Sequence, residues 1–229
     1  MFKETITDVF FDLDHTLWDF EKNSALAFKK IFKHNGVDVL ITDFLEVYVP
    51  INLQYWKLYR DEKVTKSELR YQRLKKTFNA IQFNISDTLI NTLSEDYITY
   101  LSSYNHVFPH TYEILEYLKP KYKLHIITNG FQEIQDKKLK KANLYNYFEQ
   151  VVNSEMAGVK KPNPKIFKLA LNLAKTKAKN SVMIGDSLEA DILGAQASGL
   201  HAIHFNAHKE PKHDYCIMIN SLNEIKHIL

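Results

Sequence analysis

Residues 6–16 read Ile6-Thr7-Asp8-Val9-Phe10-Phe11-Asp12-Leu13-Asp14-His15-Thr16. The run from Ile6 to Phe11 is short and rich in β-branched and aromatic side chains, which suits a buried strand better than a helix. It ends directly on Asp12-Leu13-Asp14. Two carboxylates at i and i+2 at the mouth of an apolar strand are costly unless something cationic pairs with them. The stretch therefore places a buried strand and a charged site side by side.

Outward from this strand the pattern changes twice. Between about Trp18 and Tyr104, the segments Ser24 to His34, Thr42 to Arg60 and Lys66 to Ala80 carry apolar residues at helical spacing, punctuated by Gly36 and Pro50. Thr65-Lys66-Ser67-Glu68 is a capping-box pattern opening the third of these. The stretch predicts an all-helical insertion. After Pro109 the chain alternates: helix Thr111 to Leu118, strand Leu124 to Ile127, helix Phe131 to Ala142, strand Gln150 to Asn153, and helix Lys165 to Lys175. Strand Val182 to Ile184 follows, then helix Leu188 to Ser198 closed by Gly199, and strand Ala202 to Phe205. Strands alternating with helices predict right-handed βαβ units and a parallel sheet, hence an α/β core. The domains expected are a catalytic core of residues 1–17 and 105–229 and a helical subdomain of residues 18–104.

Composition agrees with a globular protein of this size. The 229 residues are 45% hydrophobic, 25% charged and 13% aromatic, which argues against disorder or a fibrous architecture. With 30 basic and 27 acidic residues the net charge is +3, no field of the kind that drives binding to nucleic-acid polymers. The densest basic run, Lys137, Lys138, Lys140 and Lys141, reads as a solvated helix face. The single Cys216 excludes an intramolecular disulfide. No signal-peptide pattern opens the sequence and no run of about 18 apolar residues occurs. A cytoplasmic protein with no membrane partner, monomeric or homodimeric, is expected.

In open parallel sheets ligands bind beyond the carboxyl ends of the strands, near the switch in strand order. The residues at those ends are Asp12 and Asp14, then Thr128, Asn129 and Gly130, then Lys160 and Lys161 in the loop after the third strand, then Gly185 and Asp186. Asp191 follows on the next turn. Each piece alone reads as readily as a turn or helix-capping residue. Together they form an acid-rich, hydroxyl-bearing ring supplied with lysine. Such an acid cluster repels itself unless Mg²⁺ or lysine neutralises it, and carboxylate, carbonyl and water oxygens are the ligands Mg²⁺ prefers. The ten histidines show no paired ligand spacing with cysteine, so zinc is not favoured.

In this order the residues resemble the haloacid dehalogenase-like hydrolase superfamily. Asp12-Leu13-Asp14-His15-Thr16 is similar to its first motif DxDxT, and Thr128 in Ile126-Ile127-Thr128-Asn129-Gly130 to the second. Lys161, directly before Pro162, is similar to the third, and Asp186 with Asp191 in Gly185-Asp186-Ser187-Leu188-Glu189-Ala190-Asp191 to the fourth. The resemblance implies a Rossmann-like three-layer core with an inserted helical cap. It also implies a Mg²⁺-dependent phosphomonoesterase. Asp12 would attack phosphorus, Asp14 would be the general acid and base, and Thr128 with backbone N–H groups near Leu13, Asp14 and Asn129 would hold the phosphoryl oxygens. Gly130 would belong to that substrate cradle. Lys161 would offset the phosphoryl charge. Asp12, the Asp14 carbonyl and Asp186 would hold the metal, with Asp191 and Thr16 supporting from behind. Keeping Asp14 separates the chain from true dehalogenases.

The helical insertion is similar, more loosely, to that of bacterial pyrimidine 5′-nucleotidases, through Leu17 to Ser24, Asn52, Trp56, Thr65 and Arg73. This implies a small phosphorylated metabolite, a nucleoside monophosphate, as substrate. Trp18, Trp56 and Arg73 are the candidate contacts; packing in a core is the competing reading for the aromatics, and a structural ion pair the equal alternative for Arg73. Phosphoglycolate or a sugar phosphate is the second reading. A catalytically silent binding scaffold is a third, although no motif residue is missing.

Overall fold

The structure, a computed structural model, describes residues 5–229. The first four residues, assigned above to the core, lie outside the described residues. By its internal packing the chain divides into two compact units, Met1–Phe20 with Asn105–Leu229, and Glu21–Tyr104.

The first unit is built on a six-stranded sheet in the order β3-β2-β1-β4-β5-β6, every neighbouring pair parallel. Its strands are β1 (Asp8–Phe11), β2 (Lys123–Thr128), β3 (Gln150–Asn153), β4 (Ser181–Gly185), β5 (His201–Phe205) and β6 (Ile217–Ile219). β1 and β4 are buried along their whole length, as expected of central strands covered on both faces. The order reverses between β1 and β4, and these two strands carry Asp12 and Asp186 at their carboxyl ends. The helices of this unit are α5 (Thr111–Leu118), α6 (Gln132–Lys141), α7 (Ser154–Ala157), α8 (Pro164–Ala174) and α9 (Gly194–Ala197). On one face Phe10, Ile127, Val152 and Met183 of the strands pack against Ile166, Phe167 and Ala170 of α8 and Ala195 of α9.

The sheet edge and one helix of this unit differ from the sequence expectation. The edge strand β6 was not anticipated, because three residues after a polar stretch carry too little periodicity to be read. The expected helix Leu188 to Ser198 is broken in character: Leu188–Leu193 winds as a wide π-helical turn before α9 begins. There the Ser187 carbonyl accepts from both Asp191 N–H and Ile192 N–H, and the widened turn brings the Asp191 side chain back to Ser187.

The second unit consists of α1 (Phe20–Asn35, entering from the first unit), α2 (Ile41–Arg60), α3 (Lys66–Ala80) and α4 (Asp87–Leu101). Phe28 is its aromatic hub, with Phe32, Phe44, Tyr48 and Tyr97 at centroid distances of 4.5–5.6 Å. The capping box at Thr65 and Glu68 is formed. Pro50 does not punctuate; it lies inside α2. Burial of Phe44, Tyr48 and Asn52 on both sides of it offsets the one backbone hydrogen bond that proline removes. No helix among the described residues is long and apolar enough to cross a membrane.

Candidate active site

The loop that leaves β1 is tightly wound. Asp12 N–H continues the β1–β4 ladder to the Ile184 carbonyl at 2.9 Å, and the Leu13 carbonyl accepts from Leu17 N–H and Trp18 N–H. His15 takes a left-handed conformation, φ 63°. This turn sends the side chains of Asp12 and Asp14 to different partners.

Asp12 faces Lys161. The Lys161 ammonium donates to Asp12 Oδ1 at 2.5 Å and to the Ile127 carbonyl at 2.6 Å, and it lies 2.7 Å from Asp191 Oδ1. The lysine is 2% exposed. Against the cost of burial, which alone would favour a neutral amine, Asp12 and Asp191 raise its pKa above the usual lysine range. The loop holding it is tied by a reciprocal pair: Asn129 Nδ2 donates to the Lys161 carbonyl at 3.0 Å, and Lys161 N–H donates to Asn129 Oδ1 at 2.7 Å.

Asp12, Asp186 and Asp191 each bring one carboxylate oxygen to within 4.8 Å of the others, all three buried. Burial, with the charges of Asp191 and Asp186 added, pushes Asp12 well above the ordinary carboxylate range in spite of Lys161. Burial also raises Asp191. Against burial, the His208 hydrogen bond at 3.0 Å and the charges of His15, His208 and Lys161 hold Asp186 low. Three buried acids around one lysine leave an excess of negative charge, and the donor set is oxygen only. That fits a hard divalent cation of the Mg²⁺ type. Asp191 is occupied by Lys161 and by Ser187 N–H, which donates to Asp191 Oδ2 at 3.1 Å. Gly185 makes this approach possible, since a Cβ there would fall 2.3 Å from Asp191 Oδ2. Thr16 Oγ1 donates to Asp186 Oδ1 at 3.1 Å.

Thr128 ends β2, nearly fully buried. Its Oγ1 accepts from Gly130 N–H at 3.1 Å and from Gln135 Nε2 at 2.8 Å. With both lone pairs used, only its O–H remains to be offered, and a phosphoryl oxygen is an acceptor that would take it.

Asp14 turns instead towards α6. Lys138 Nζ donates to Asp14 Oδ1 at 2.6 Å and Gln135 Nε2 to Asp14 Oδ2 at 2.8 Å. Lys138 is thus not part of a solvated face: Lys137, Lys140 and Lys141 are exposed, whereas Lys138 is buried. The reading of the basic run as wholly solvated is corrected, because one of its four lysines falls on the inner side of the helix with Ile134, Gln135 and Leu139. That signal was legible in the helical spacing. Two polar residues at i and i+3 on the buried face ask for a charged partner.

Histidines were also missed. His204 Nε2 lies 2.8 Å from the Asp186 carbonyl, which can only accept, so the proton is on Nε2. Its Nδ1 therefore accepts from His213 Nε2 at 2.7 Å, and His213 Nδ1 accepts from Tyr215 N–H at 3.3 Å. The hydrogen bonds settle both tautomers and anchor the loop that carries Asp186.

Trp18, expected to touch substrate, is fully buried, with the Lys138 ammonium 4.2 Å from its ring centroid. In the helical unit Trp56 is half-buried and meets Tyr59 edge-on at 5.8 Å. Arg73 is buried there, donating to Asn52 Oδ1 at 3.0 Å with its guanidinium 5.0 Å from the Tyr97 centroid, while its Nε has no hydrogen-bond partner among the described residues.

The arrangement has known counterparts. The family description "Haloacid dehalogenase-like hydrolase" matches residues 9–205. Pyrimidine 5′-nucleotidase YjjG of Escherichia coli is 31% identical over 225 residues, 96% of each chain. A glyceraldehyde 3-phosphate phosphatase of Methanothermobacter thermautotrophicus is 31% identical over 238 aligned positions, covering 96% of this chain and 98% of its own. The magnesium-bound structure of the HAD-hydrolase YfnB of Bacillus subtilis superposes with a TM-score of 0.87 at 26% identity, covering 97% of this chain and 98% of that one. With residues 9–205 matched and these relatives aligned over almost its whole length, the chain belongs to the haloacid dehalogenase-like hydrolases.

Proposed function

We propose that the protein is a Mg²⁺-dependent phosphomonoesterase that works through an aspartyl phosphate on Asp12, with pyrimidine nucleoside monophosphates as substrates. The observation that carries this reading is the buried group of Asp12, Asp186 and Asp191 around Lys161, beside a second, separately held carboxylate at Asp14. On this reading Asp12 bonds phosphorus and Asp14 moves a proton.

An Asp12 oxygen attacks phosphorus and the bond to the leaving oxygen breaks as Asp14 protonates it. Thr128 O–H, Lys161 and backbone N–H groups of the Asp12 and Thr128 loops hold the phosphoryl oxygens. Water then attacks the same phosphorus while Asp14 takes its proton, releasing phosphate and restoring Asp12. Asp12, the Asp14 carbonyl and Asp186 would hold Mg²⁺, which would supply the positive charge that lets one anion approach another. Asp191 orients Lys161, and Thr16 orients Asp186.

This chemistry is indifferent to the alcohol released. The nucleotide reading rests on the likeness to YjjG. A second reading, a triose or similar small phosphoester, is favoured by the equal identity to the glyceraldehyde 3-phosphate phosphatase. Phosphate release from uridine, deoxyuridine and thymidine monophosphates, glyceraldehyde 3-phosphate and phosphoglycolate, each with Mg²⁺ and with EDTA, separates them. The expected result is Mg²⁺-dependent release with the highest kcat/KM on the pyrimidine monophosphates. Higher kcat/KM on the triose ester would move the assignment to the second reading, and release unaffected by EDTA would contradict the metal.

A further inference from the structure

Lys138 is a lysine whose position needs a reason. Desolvating an ammonium costs several kcal/mol, of order, unless its partners are well placed, and the helix that carries it has three other lysines in solvent. Its ammonium lies over aromatic faces, 4.2 Å from the Trp18 centroid and 5.3 Å from that of Phe20. From there the Nζ reaches Asp14 Oδ1 at 2.6 Å. Gln135, one turn earlier on α6, takes the other oxygen and also bonds Thr128 Oγ1. Gly130 leaves room for it, since a Cβ there would fall 2.0 Å from Gln135 Nε2. Both oxygens of the acid–base carboxylate are thus held by one helix face, and the same amide ties that carboxylate to the hydroxyl offered to the phosphoryl group. A lysine that only closed the loop of residues 13–19 would not need a second donor on the other oxygen, shared with Thr128.

We propose that Lys138, with Gln135, is a positioning residue that aims the Asp14 carboxylate at the leaving-group oxygen. The inference rests on the phosphatase reading above. It predicts a defect that depends on the leaving group. An alkyl ester needs its departing oxygen protonated, whereas nitrophenolate departs without a proton. The ratio of kcat/KM between the two reports the first phosphoryl transfer alone.

The experiment measures kcat/KM with Mg²⁺ for uridine monophosphate and for p-nitrophenyl phosphate, on wild type, Lys138→Met, Lys138→Arg and Gln135→Leu. Methionine fits an aromatic cage, and thermal melts check that each variant folds. The expected result for Lys138→Met is a loss on uridine monophosphate at least about 10-fold larger than on p-nitrophenyl phosphate, about 1.4 kcal/mol of selective transition-state stabilisation. Lys138→Arg should recover much of it, and Gln135→Leu should show the same selectivity to a smaller degree. Equal losses on both esters, or none, in the folded variants would overturn the inference. If the wild type hydrolyses neither ester, the phosphatase reading itself falls and this inference with it, a result distinct from an active wild type with unselective variants.

Discussion

Lys160 and Lys161 are neighbours in sequence with different surroundings. Lys161 is buried between Asp12, Asp191 and the Ile127 carbonyl, whereas Lys160 is partly open to solvent. Lys161→Ala should lower kcat/KM by about 100-fold or more, about 2.7 kcal/mol, and should also destabilise the fold, since removing one partner of a buried ion pair costs about 3–5 kcal/mol. Lys160→Ala should stay within a few-fold of wild type. Steady-state kinetics and urea denaturation of the two variants check this, and similar losses from both would mean that the phosphoryl-binding lysine is misassigned. Asp12, Asp14, Thr128 and Asp186 could be found in the sequence because they sit at or just past the carboxyl end of a buried strand, where a polar residue stands out, whereas Lys161, beyond α7, was singled out only by its place before Pro162. Lys138 could not be found that way. It sits in a lysine-rich helix, and only its place on the wheel beside Gln135 distinguishes it. His204 was hidden for a related reason: a histidine inside an apolar strand reads as core, and its bond to the Asp186 carbonyl is long-range.

Among the elements, the central strands carry one polar pair of their own. Asp8 on β1 and His125 on β2 are buried, and His125 Nε2 lies 2.9 Å from Asp8 Oδ1. Burial lowers the His125 pKa from its ordinary value, against the opposing pull of Asp8. In the unfolded chain the ring takes up a proton at about pH 6.5, so below that pH the unfolded state binds more protons than the native one. Stability from this residue is therefore fully present above about pH 6.5 and is lost as pH falls towards the native pKa. The melting temperature should drop between about pH 7.5 and about pH 5.5. His125→Gln, whose amide can still donate to Asp8, should drop less steeply; equal slopes would show that other groups govern the acid limb. The parallel sheet itself was legible because its strands are near-continuous apolar runs between amphipathic helices. The π-helical turn was not, since Leu188–Leu193 has an ordinary helical composition and its widening follows from the Ser187 and Asp191 contacts. Pro50 misled in the other direction, because packing on α2 outweighs the local penalty of the ring.

For the whole molecule, the change of hydrophobic period from strand-like to helical and back separates two stretches of chain, and the structure has two compact units, Glu21–Tyr104 and the rest. What the site can do follows from charge balance in the first unit: three buried acids, one lysine between two of them, and a fourth acid held apart by Lys138 and Gln135. The choice of alcohol is written less clearly, because an aromatic or arginine in a helical unit serves packing as readily as recognition. Arg73, bonded to Asn52 and stacked near Tyr97, is such a residue. Acid quenching of enzyme mixed with Mg²⁺ and uridine monophosphate, followed by mass mapping of the phosphorylated peptide, identifies the nucleophile. An acyl phosphate on Asp12 should form faster than phosphate is released, and Asp12→Asn should show neither adduct nor turnover. Turnover retained in Asp12→Asn, or an adduct on another side chain, would contradict Asp12 as the nucleophile.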